Sequence, residues 1–424
     1  MTSAGARGDA EAILQAAIDA VRPERLVPRR LACRGTHLLR AGEPFDPPAS
    51  LAGRIVVVGG GKAAAGMAAE VERLLLDAGV DPERLTGLVS VPEGCGLALH
   101  RIETRETRPG GGNLPTPAAV AATAKMRLLL GGLGAGDLAI VLVSGGGSAL
   151  IEEPREGVSL EEIIARTRQM SDAGAGIREI NAVRQTLSRV KAGGLARACT
   201  AGRLVALVLS DVIGDPLDLV ASGPCMAASG AEAGEWTTPA GCRVSHVLLG
   251  TNAAAVVAAA AVARALGYDT IAREARDIAE TADDVGRRLA DEALALASLV
   301  SGDGRPRAVI EGGEATVVVP ADHGRGGRNQ QTVLAAVNEW NPSMRRWPAG
   351  LVIASVGTDG EDGPTDAAGG LADAGVVGRL LATDIARAVT RCAAHPALAA
   401  AGGLVRTGPT GTNVADVRII LAMP

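Results

Sequence analysis

Short, continuously apolar runs alternate along this chain with longer segments whose apolar residues recur every three or four positions. Residues 54–58, 87–91, 137–143, 203–209, 244–249, 269–273, 307–311, 351–356 and 417–421 read as strands. The run at 138–143 is apolar at consecutive positions, the mark of a strand covered on both faces. Segments 63–78, 117–130, 160–171, 177–198, 252–266, 279–298 and 376–390 read as helices, as does a segment opening near 324–331 and continuing to Asn338. An amphipathic helix is predicted over 9–21, with Ile13, Leu14, Ala17 and Ile18 on one face. Alternating strands and helices over the whole length predict an α/β fold. A second apolar run, 315–319, follows the strand at 307–311 and suggests an antiparallel pair, so the later sheet is expected to be mixed. Residues 22–50 are rich in Pro and Arg and read as irregular, and 108–117 reads as a Gly/Pro loop. The Ala/Gly/Ser-rich stretch 227–241 is the best linker candidate.

At 424 residues the chain suits two domains, divided at that linker into 1–240 and 241–424. A hydrophobic content of 47% is ample for two cores, but aromatic residues make up 1%, so Ala, Val, Leu and Ile must fill them. The net charge of −5 gives no electrostatic support for nucleic-acid or membrane binding. The scarcity of aromatics also removes stacking platforms for single strands. The six cysteines form no C-x-x-C pair and the five histidines no metal-binding spacing, so neither zinc nor a disulfide framework is expected. No apolar leader or span of ~20 residues is evident, and a reducing cytoplasm is the expected setting. The oligomeric state is open; a homodimer is compatible with the sequence.

The chemistry gathers where strands end. Val58 runs into Gly59-Gly60-Gly61-Lys62, and Val143 into Ser144-Gly145-Gly146-Gly147-Ser148. Glycines permit tight turns and close approach of backbone to ligand; successive N–H groups and serine hydroxyls then make an anion cradle. Leu209 leads to Ser210-Asp211 and Gly214-Asp215, two carboxylates that suit Mg²⁺ held together with substrate phosphates. Of the 42 basic residues only Lys62, Lys125 and Lys191 are lysine, and Lys62 and Lys191 lie in Gly-rich contexts where a compact ammonium serves better than a guanidinium. Gly326-Gly327-Arg328 puts a planar cation at a helix start. The first glycine loop is not a Walker A motif, because Ala63 stands in place of Ser/Thr and Val56 in place of the first glycine, and it is not a full dinucleotide fingerprint, because the ribose-binding acid expected ~20 residues on is displaced. Ser144 lies outside any G-x-S-x-G elbow, which argues against a serine hydrolase.

As a set, these motifs resemble the class II glycerate 2-kinases, whose C-terminal part is the MOFRL domain. The resemblance rests on the two glycine loops, on Asn181-Ala182-Val183-Arg184, on Ser210 through Asp215, and on Ala221-Ser222-Gly223-Pro224. It continues through Gly250-Thr251-Asn252, Gly312-Gly313-Glu314, Gly326-Gly327-Arg328-Asn329-Gln330, Thr358-Asp359-Gly360, Asp362 through Gly369, and Gly408 through Asn413. It implies an ATP- and Mg²⁺-dependent kinase acting on the 2-hydroxyl of D-glycerate. It also implies a Rossmann-like N-terminal domain with a mostly parallel sheet, a smaller mixed-sheet C-terminal domain with MOFRL at about 305–424, and an active site in the cleft between them. Lys62 and Arg328 are the implied catalytic residues. Asp211 is expected to act in catalysis and, with Asp215, to hold the metal. Gly60, Gly61, Ser144, Gly145, Gly146, Gly147, Ser148, Asn252, Gly326, Gly327 and Asp359 are expected to bind the nucleotide, and Arg184 or Lys191 the acceptor carboxylate.

Two stretches depart from the family pattern. Gly112-Asn113-Leu114-Pro115-Thr116 stands where His-Pro-x-Pro-Asp is usual, and Arg184-Gln185-Thr186-Leu187-Ser188 where Arg-Lys-His-Leu-Ser is common. Gly112, Thr116 and Thr186 therefore leave the acceptor open among glycerate and related hydroxy acids. A nicotinamide-dependent hydroxypyruvate reductase needs a ribose acid and a proton donor that no motif supplies. A catalytically silent binding protein is the third reading.

Overall fold

The computed structural model describes residues 3–172, 176–227, 234–276, 280–340, 346–380 and 384–424. Its contacts divide the chain into two units. One holds Arg22–Thr251 and Gly411–Asn413; the other holds Met1–Val21, Asn252–Thr410 and Val414–Pro424.

The unit built on Arg22–Thr251 opens with an antiparallel meander: β1 (Leu31–Arg34), β2 (His37–Arg40) and β3 (Glu43–Ser50). A helix, Pro23–Arg30, precedes it, so the stretch expected to be irregular is folded. β1 and β2 span four residues each and β3 is interrupted by prolines, so none carries a periodic signal. The main sheet contains β4 (Ile55–Gly60), β5 (Leu85–Pro92), β6 (Ile102–Arg108), β7 (Leu138–Ser144), β8 (Arg203–Leu209), β9 (Trp236–Thr237) and β10 (Arg243–Gly250). Their order is β6-β5-β4-β7-β8-β10-β9, parallel except for the short edge strand β9. β4, β7 and β8 are buried at every position, as strands covered on both faces require. Val56, Val58, Val141 and Val143 pack with Ala122, Met126 and Leu130 of the helix Pro117–Gly131. The six parallel strands follow the doubly wound Rossmann order, whose direction reverses between β4 and β7. Edge strand β6 alternates charged and polar residues, which concealed it in the sequence.

The predicted helix over 177–198 is interrupted. Ile177–Leu187 is helical, the chain then leaves helical geometry, and Gly194–Arg197 forms one further turn. Ala192 and Gly193 adopt φ of +47° and +79°, a left-handed backbone that ends a helix. Of the expected linker, residues 228–233 lie outside the described residues, and Trp236–Thr237 pairs with β10.

The second unit contains β11 (Asp269–Arg273), β12 (Arg307–Gly313), β13 (Leu351–Gly357), β14 (Gly369–Ala372), β15 (Leu404–Val405) and β16 (Asp416–Ala422) in the order β11-β12-β16-β13-β14-β15. Only β11 and β12 are parallel. The sheet is mixed as expected, but not through a pair between 307–311 and 315–319. The antiparallel neighbour of β12 is β16, more than a hundred residues away in sequence, and 315–319 supplies only an isolated bridge from Thr316 to Thr281. Long-range pairing of this kind leaves no local trace. The helix Ala282–Asp303 starts on a Thr281 cap with Asp283 and Asp284 in its first turn and stops at left-handed Gly304. Val285 and Leu289 of that helix and Val333 and Val337 of the helix Arg328–Trp340 meet Val309, Ile353 and Ile420 from the sheet. The helix expected over 376–390 is two, Ala374–Leu380 and Ile385–Thr390, with 381–383 outside the described residues. The N-terminal helix Ser3–Ala20 belongs to this unit: Tyr268 Oη donates to Asp9 at 2.8 Å, and Arg7 pairs with Asp373 at 3.1 Å. The expected boundary after residue 240 therefore differs from the contact division after Thr251. No helix among the described residues is long and apolar enough to cross a membrane.

A buried charge cluster crosses the centre of this sheet. Glu311 on β12 accepts from Arg288 at 2.8 and 2.9 Å and from Arg418 on β16 at 3.3 Å, with the Glu311 and Arg418 side chains 6% and 4% exposed. Removing one member of a buried pair strands the other charge, at a typical cost of about 3–5 kcal/mol. Glu311→Gln should lower the unfolding free energy by that order in urea titrations. A loss below about 1 kcal/mol would mean that Arg418 does not depend on this carboxylate.

Candidate active site

Because β4 and β7 are parallel neighbours, paired from Ile55↔Leu138 to Gly60↔Val143, their two glycine loops leave the sheet side by side. This is the reversal point of the strand order, where open α/β sheets form their ligand crevice. The loops are joined directly. Lys62 N–H donates to Gly145 O at 2.9 Å, and Ala63 N–H donates to Ser144 Oγ at 3.1 Å. Gly61 adopts φ +141°, and a Cβ there would overlap Ser144 Oγ, so the glycine is required by the neighbouring loop. The second loop turns at left-handed Gly146, φ +77°, into the helical turn Gly147–Leu150. A Cβ at Gly146 would lie 3.4 Å from Lys62 Cγ and 3.5 Å from Arg108 Nη2. Two cations therefore flank this glycine, which together with Lys62 stays partly exposed. Arg108, at the end of β6, was not foreseen; its only sequence signal was its place as the last of three closely spaced arginines, directly ahead of Pro109-Gly110-Gly111.

The loop after β8 reaches the same place. A Cβ at Gly145 would overlap both Asp211 Oδ2 and Asn413 Nδ2, and Asn413 donates to Asp211 at 3.1 Å. Asp215 sits in left-handed backbone at φ +54°; burial raises its carboxyl pKa, against a hydrogen bond from Ser210 that lowers it. Among the described residues no three His, Cys, Asp or Glu side chains form a metal cluster.

Behind the second loop, Ser148 Oγ lies 3.0 Å from Ser222 Oγ, which donates to Asn181 Oδ1 at 2.9 Å. Lys191 is fully buried; its ammonium donates to Ser148 O and Ile151 O at 2.8 and 3.2 Å and pairs with Glu152 at 3.3 Å. Three donors and three partners make it a brace for the Ser148 turn. Desolvation lowers its pKa, against the attraction of Glu152. Arg184 is partly buried, donates to Thr167 Oγ1 at 3.3 Å, and has its pKa lowered by burial, with Glu152 opposing.

In the second unit Arg328 opens its helix beneath two carboxylates. It grips Asp416 through Nε at 2.7 Å and Nη2 at 2.9 Å, and reaches Glu314 through Nη1 at 2.9 Å. The Asp416 side chain is 0% exposed, the Arg328 side chain 33%. Burial opposes the guanidinium charge, but Asp416 and Glu314 outweigh it and raise its pKa. Asp362 caps the same helix, accepting the backbone N–H groups of Asn329 at 3.0 Å and Gln330 at 2.8 Å. A carboxylate at a helix N-terminus is favoured by the orphan N–H groups and the helix dipole. Gly327 is glycine because a Cβ would overlap Asp362, and at Gly326 a Cβ would lie 3.1 Å from Cys392 O. Asn252 spends both amide donors on Val414 O and Asp416 O, at 2.8 and 2.9 Å. Asp359 Oδ1 accepts from Glu361 N–H at 3.0 Å. Asp416 and Asp362 were absent from the expected site residues; the first shows in sequence only as an acid opening an apolar strand.

The departures from the family pattern also have places. Thr116 caps the helix Pro117–Gly131, accepting from Ala119 N–H at 3.1 Å, a task an aspartate performs equally well. Thr186 donates to Val183 O at 2.8 Å within its own helix. A Cβ at Gly112 would lie 3.6 Å from Arg108 Nη1, so the missing side chain leaves room beside that guanidinium.

Residues 9–245 match the family described as Domain of unknown function (DUF4147), and residues 307–416 match the MOFRL family. Over 500 aligned residues the chain is 32% identical to glycerate kinase of Homo sapiens, covering 98% of this chain and 93% of the human protein. It is 37% identical over 353 residues to D-glycerate 2-kinase of Thermotoga maritima, covering 75% and 80% of the two chains. The crystal structure of Thermotoga maritima glycerate kinase superposes with a TM-score of 0.76 at 31% identity, covering 98% of this chain and 99% of that one. The chain belongs to the class II glycerate kinase family with a MOFRL domain. Within that family frame, the glycine loops, Lys62 and the Gly326-Gly327-Arg328 helix start keep the residues and order on which the resemblance rests.

Asp362 yields a pH prediction. Burial lifts its carboxyl pKa from 3.8 to about 6, against the N–H groups of Asn329 and Gln330, with Asp416 adding to the rise. A folded-state pKa above the unfolded one means the native state binds more protons between the two values. The stabilisation is full below about pH 4 and is lost as pH rises through about 6, a difference of about 3 kcal/mol. Asp362→Asn should remove this component, flattening the wild-type-minus-variant stability difference outside that window. A constant difference from pH 4 to 7 in denaturant titrations would contradict it.

Proposed function

We propose that this chain is an ATP-dependent kinase transferring the γ-phosphoryl group to the 2-hydroxyl of D-glycerate or a closely related hydroxy acid. The reading is carried by Lys62 standing beside two joined glycine loops at the strand-order reversal, in a chain alignable over nearly its whole length with glycerate kinases. Phosphoryl transfer asks the protein for positioning and charge neutralisation. In this proposal the loops at Gly60, Gly61 and Ser144–Ser148 hold phosphate oxygens, and Lys62 offsets charge on the transferring group. Asp211 and Asp215 would hold Mg²⁺, which neutralises phosphate charge when bound with the nucleotide. Arg328, with two N–H donors beyond those used on Asp416 and Glu314, is a second group for the transferring phosphoryl. Arg108 binds the acceptor carboxylate, Arg184 assists, and Lys191 positions Ser148 from behind. Asn252, Gly326, Gly327 and Asp359 contribute to the nucleotide site. A cytoplasmic location belongs to the proposal, in keeping with six free cysteines.

The deciding assay follows ADP release and nicotinamide absorbance in parallel across three- and four-carbon 2-hydroxy acids. ADP release with D-glycerate or a close analogue, and no nicotinamide signal, is the expected result. Near-zero turnover across the panel would remove the kinase assignment for this chain. Mg²⁺-ATP should raise the melting temperature, as any ligand bound only by the native state must, and NADPH should not; the reverse pattern would favour the reductase.

Lys62→Ala should reduce kcat by about 10²–10³-fold, the usual cost of losing a group aimed at transition-state charge. Arg328→Ala should do the same, and because it also strands the buried carboxylate of Asp416, its kcat is read on protein whose folding circular dichroism has verified. Lys62→Arg keeps the charge but places a bulky fork against Gly146, and should recover little. Full activity in Lys62→Arg would make Lys62 a general counter-charge, and full activity in Lys62→Ala would reduce the first glycine loop to a structural turn.

A further inference from the structure

A second cationic pocket lies in the unit built on Arg22–Thr251, formed by residues with no part in the site above. Arg155, Arg189 and Arg197, with Glu156, line an open pocket of about 280 Å³. Their guanidinium groups are aimed by neutral partners. Arg155 donates through Nε to Ser188 O at 3.0 Å and through Nη2 to Gln185 O at 3.4 Å, and Arg197 donates through Nη2 to Ala192 O at 2.8 Å. Arg189 comes no nearer than 3.7 Å to Glu153, a carboxylate already held by Arg127 at 2.9 Å. Among the described residues, Glu156 makes no ion pair with any of the three. Burial and the charge of Arg155 both lower the Arg197 pKa, so the two guanidinium groups repel each other across a space in which Glu156 is the one lining carboxylate among the described residues.

We propose that this pocket binds a small phosphate-bearing metabolite. Guanidinium forks match phosphate oxygens bidentately, and three of them against the single carboxylate of Glu156 leave a lining of net positive charge that a phosphate dianion would balance. The volume admits a phosphate ester of a few carbons. The chain's net charge of −5 disfavours an extended polyanion as the occupant.

The pocket is linked to the second glycine loop. Arg197 holds Ala192 O, while Ala192 N–H donates to Ser222 O at 3.0 Å. Ser222 Oγ meets Ser148 Oγ, and the neighbouring Lys191 donates to Ser148 O. Ala192 and Gly193 form the left-handed turn between these two sets of bonds. An oxyanion that draws Arg189 and Arg197 together therefore bears on the turn bracing Ser148, and occupancy should order residues 189–197.

Inorganic phosphate is the probe, titrated calorimetrically and followed by amide hydrogen exchange on the full chain. Lys62→Ala is the background, chosen to weaken capture by the glycine loops. Phosphate should slow exchange across 189–197, and Arg197→Gln should weaken that binding class about tenfold, equivalent to roughly 1.4 kcal/mol. Arg155→Gln also removes two carbonyl bonds; should it fail to fold, Arg189→Gln, whose side chain pairs at 3.7 Å with Glu153 and makes no carbonyl bond among the described residues, carries the test. Unchanged exchange at 189–197 with phosphate, or slowing that survives both Arg197→Gln and Arg189→Gln, would overturn the site. So would a short RNA oligonucleotide that binds there more tightly than phosphate and displaces it. Because the readout is binding at 189–197, a failed kinase assay leaves this test intact, and a failed phosphate test leaves the kinase reading intact.

Discussion

The contact between the β4 and β7 loops is the constraint from which the arrangement of the N-terminal candidate-site residues follows. Lys62 N–H and Ala63 N–H are both committed to the neighbouring loop, at Gly145 O and Ser144 Oγ. That closeness forbids a side chain at Gly61 and brings Gly146 against Lys62 and Arg108. It also admits Asp211 and Asn413 against Gly145, because that residue too lacks a Cβ. The glycines thus serve less to loosen the chain than to let five separate segments converge without a clash. Strand order makes the convergence unavoidable: parallel strands on either side of a reversal send their loops to the same edge.

The MOFRL-containing unit solves a different problem, that of buried carboxylates. Asp416 and Asp362 are almost wholly inside, and burying a charge is tolerated only when hydrogen bonds and counter-charge replace water. The start of one helix supplies both. Arg328 and the Asn329 side-chain amide serve Asp416, while the Asn329 and Gln330 backbone N–H groups and side-chain amides serve Asp362. Consecutive residues of one motif thus satisfy two acids that lie far apart in sequence. Arg328 is thereby held in place by two carboxylates, with its side chain 33% exposed. Such pre-orientation is what a charge-stabilising group needs, because little reorganisation is left for the moment of reaction.

Composition, periodicity and motif order were sufficient for the class of fold, for most central strands and helices, and for the family. Buried parallel strands are apolar at consecutive positions, and glycine-rich loops after them have few purposes other than close approach. Lys62 and Arg328 were visible because a rare lysine and a Gly-Gly-Arg helix start are local features. What the sequence concealed is set by contacts between distant segments. Strand β6 is polar in pattern because it lies at an edge, and the meander over residues 31–50 is built from two four-residue strands and a Pro-rich third that show no period. The β12–β16 pair joins positions whose partnership no local window records. Lys191, equally conspicuous as a rare lysine, is a fully buried brace once Ser148, Ile151 and Glu152 surround it. Arg108, Asp416 and Asp362 acquire their meaning only from their neighbours. Residue identity determined which chemistry was available along this chain; tertiary structure decided which of those groups meet, because burial and pairing, not side-chain type, set their charge state and reach.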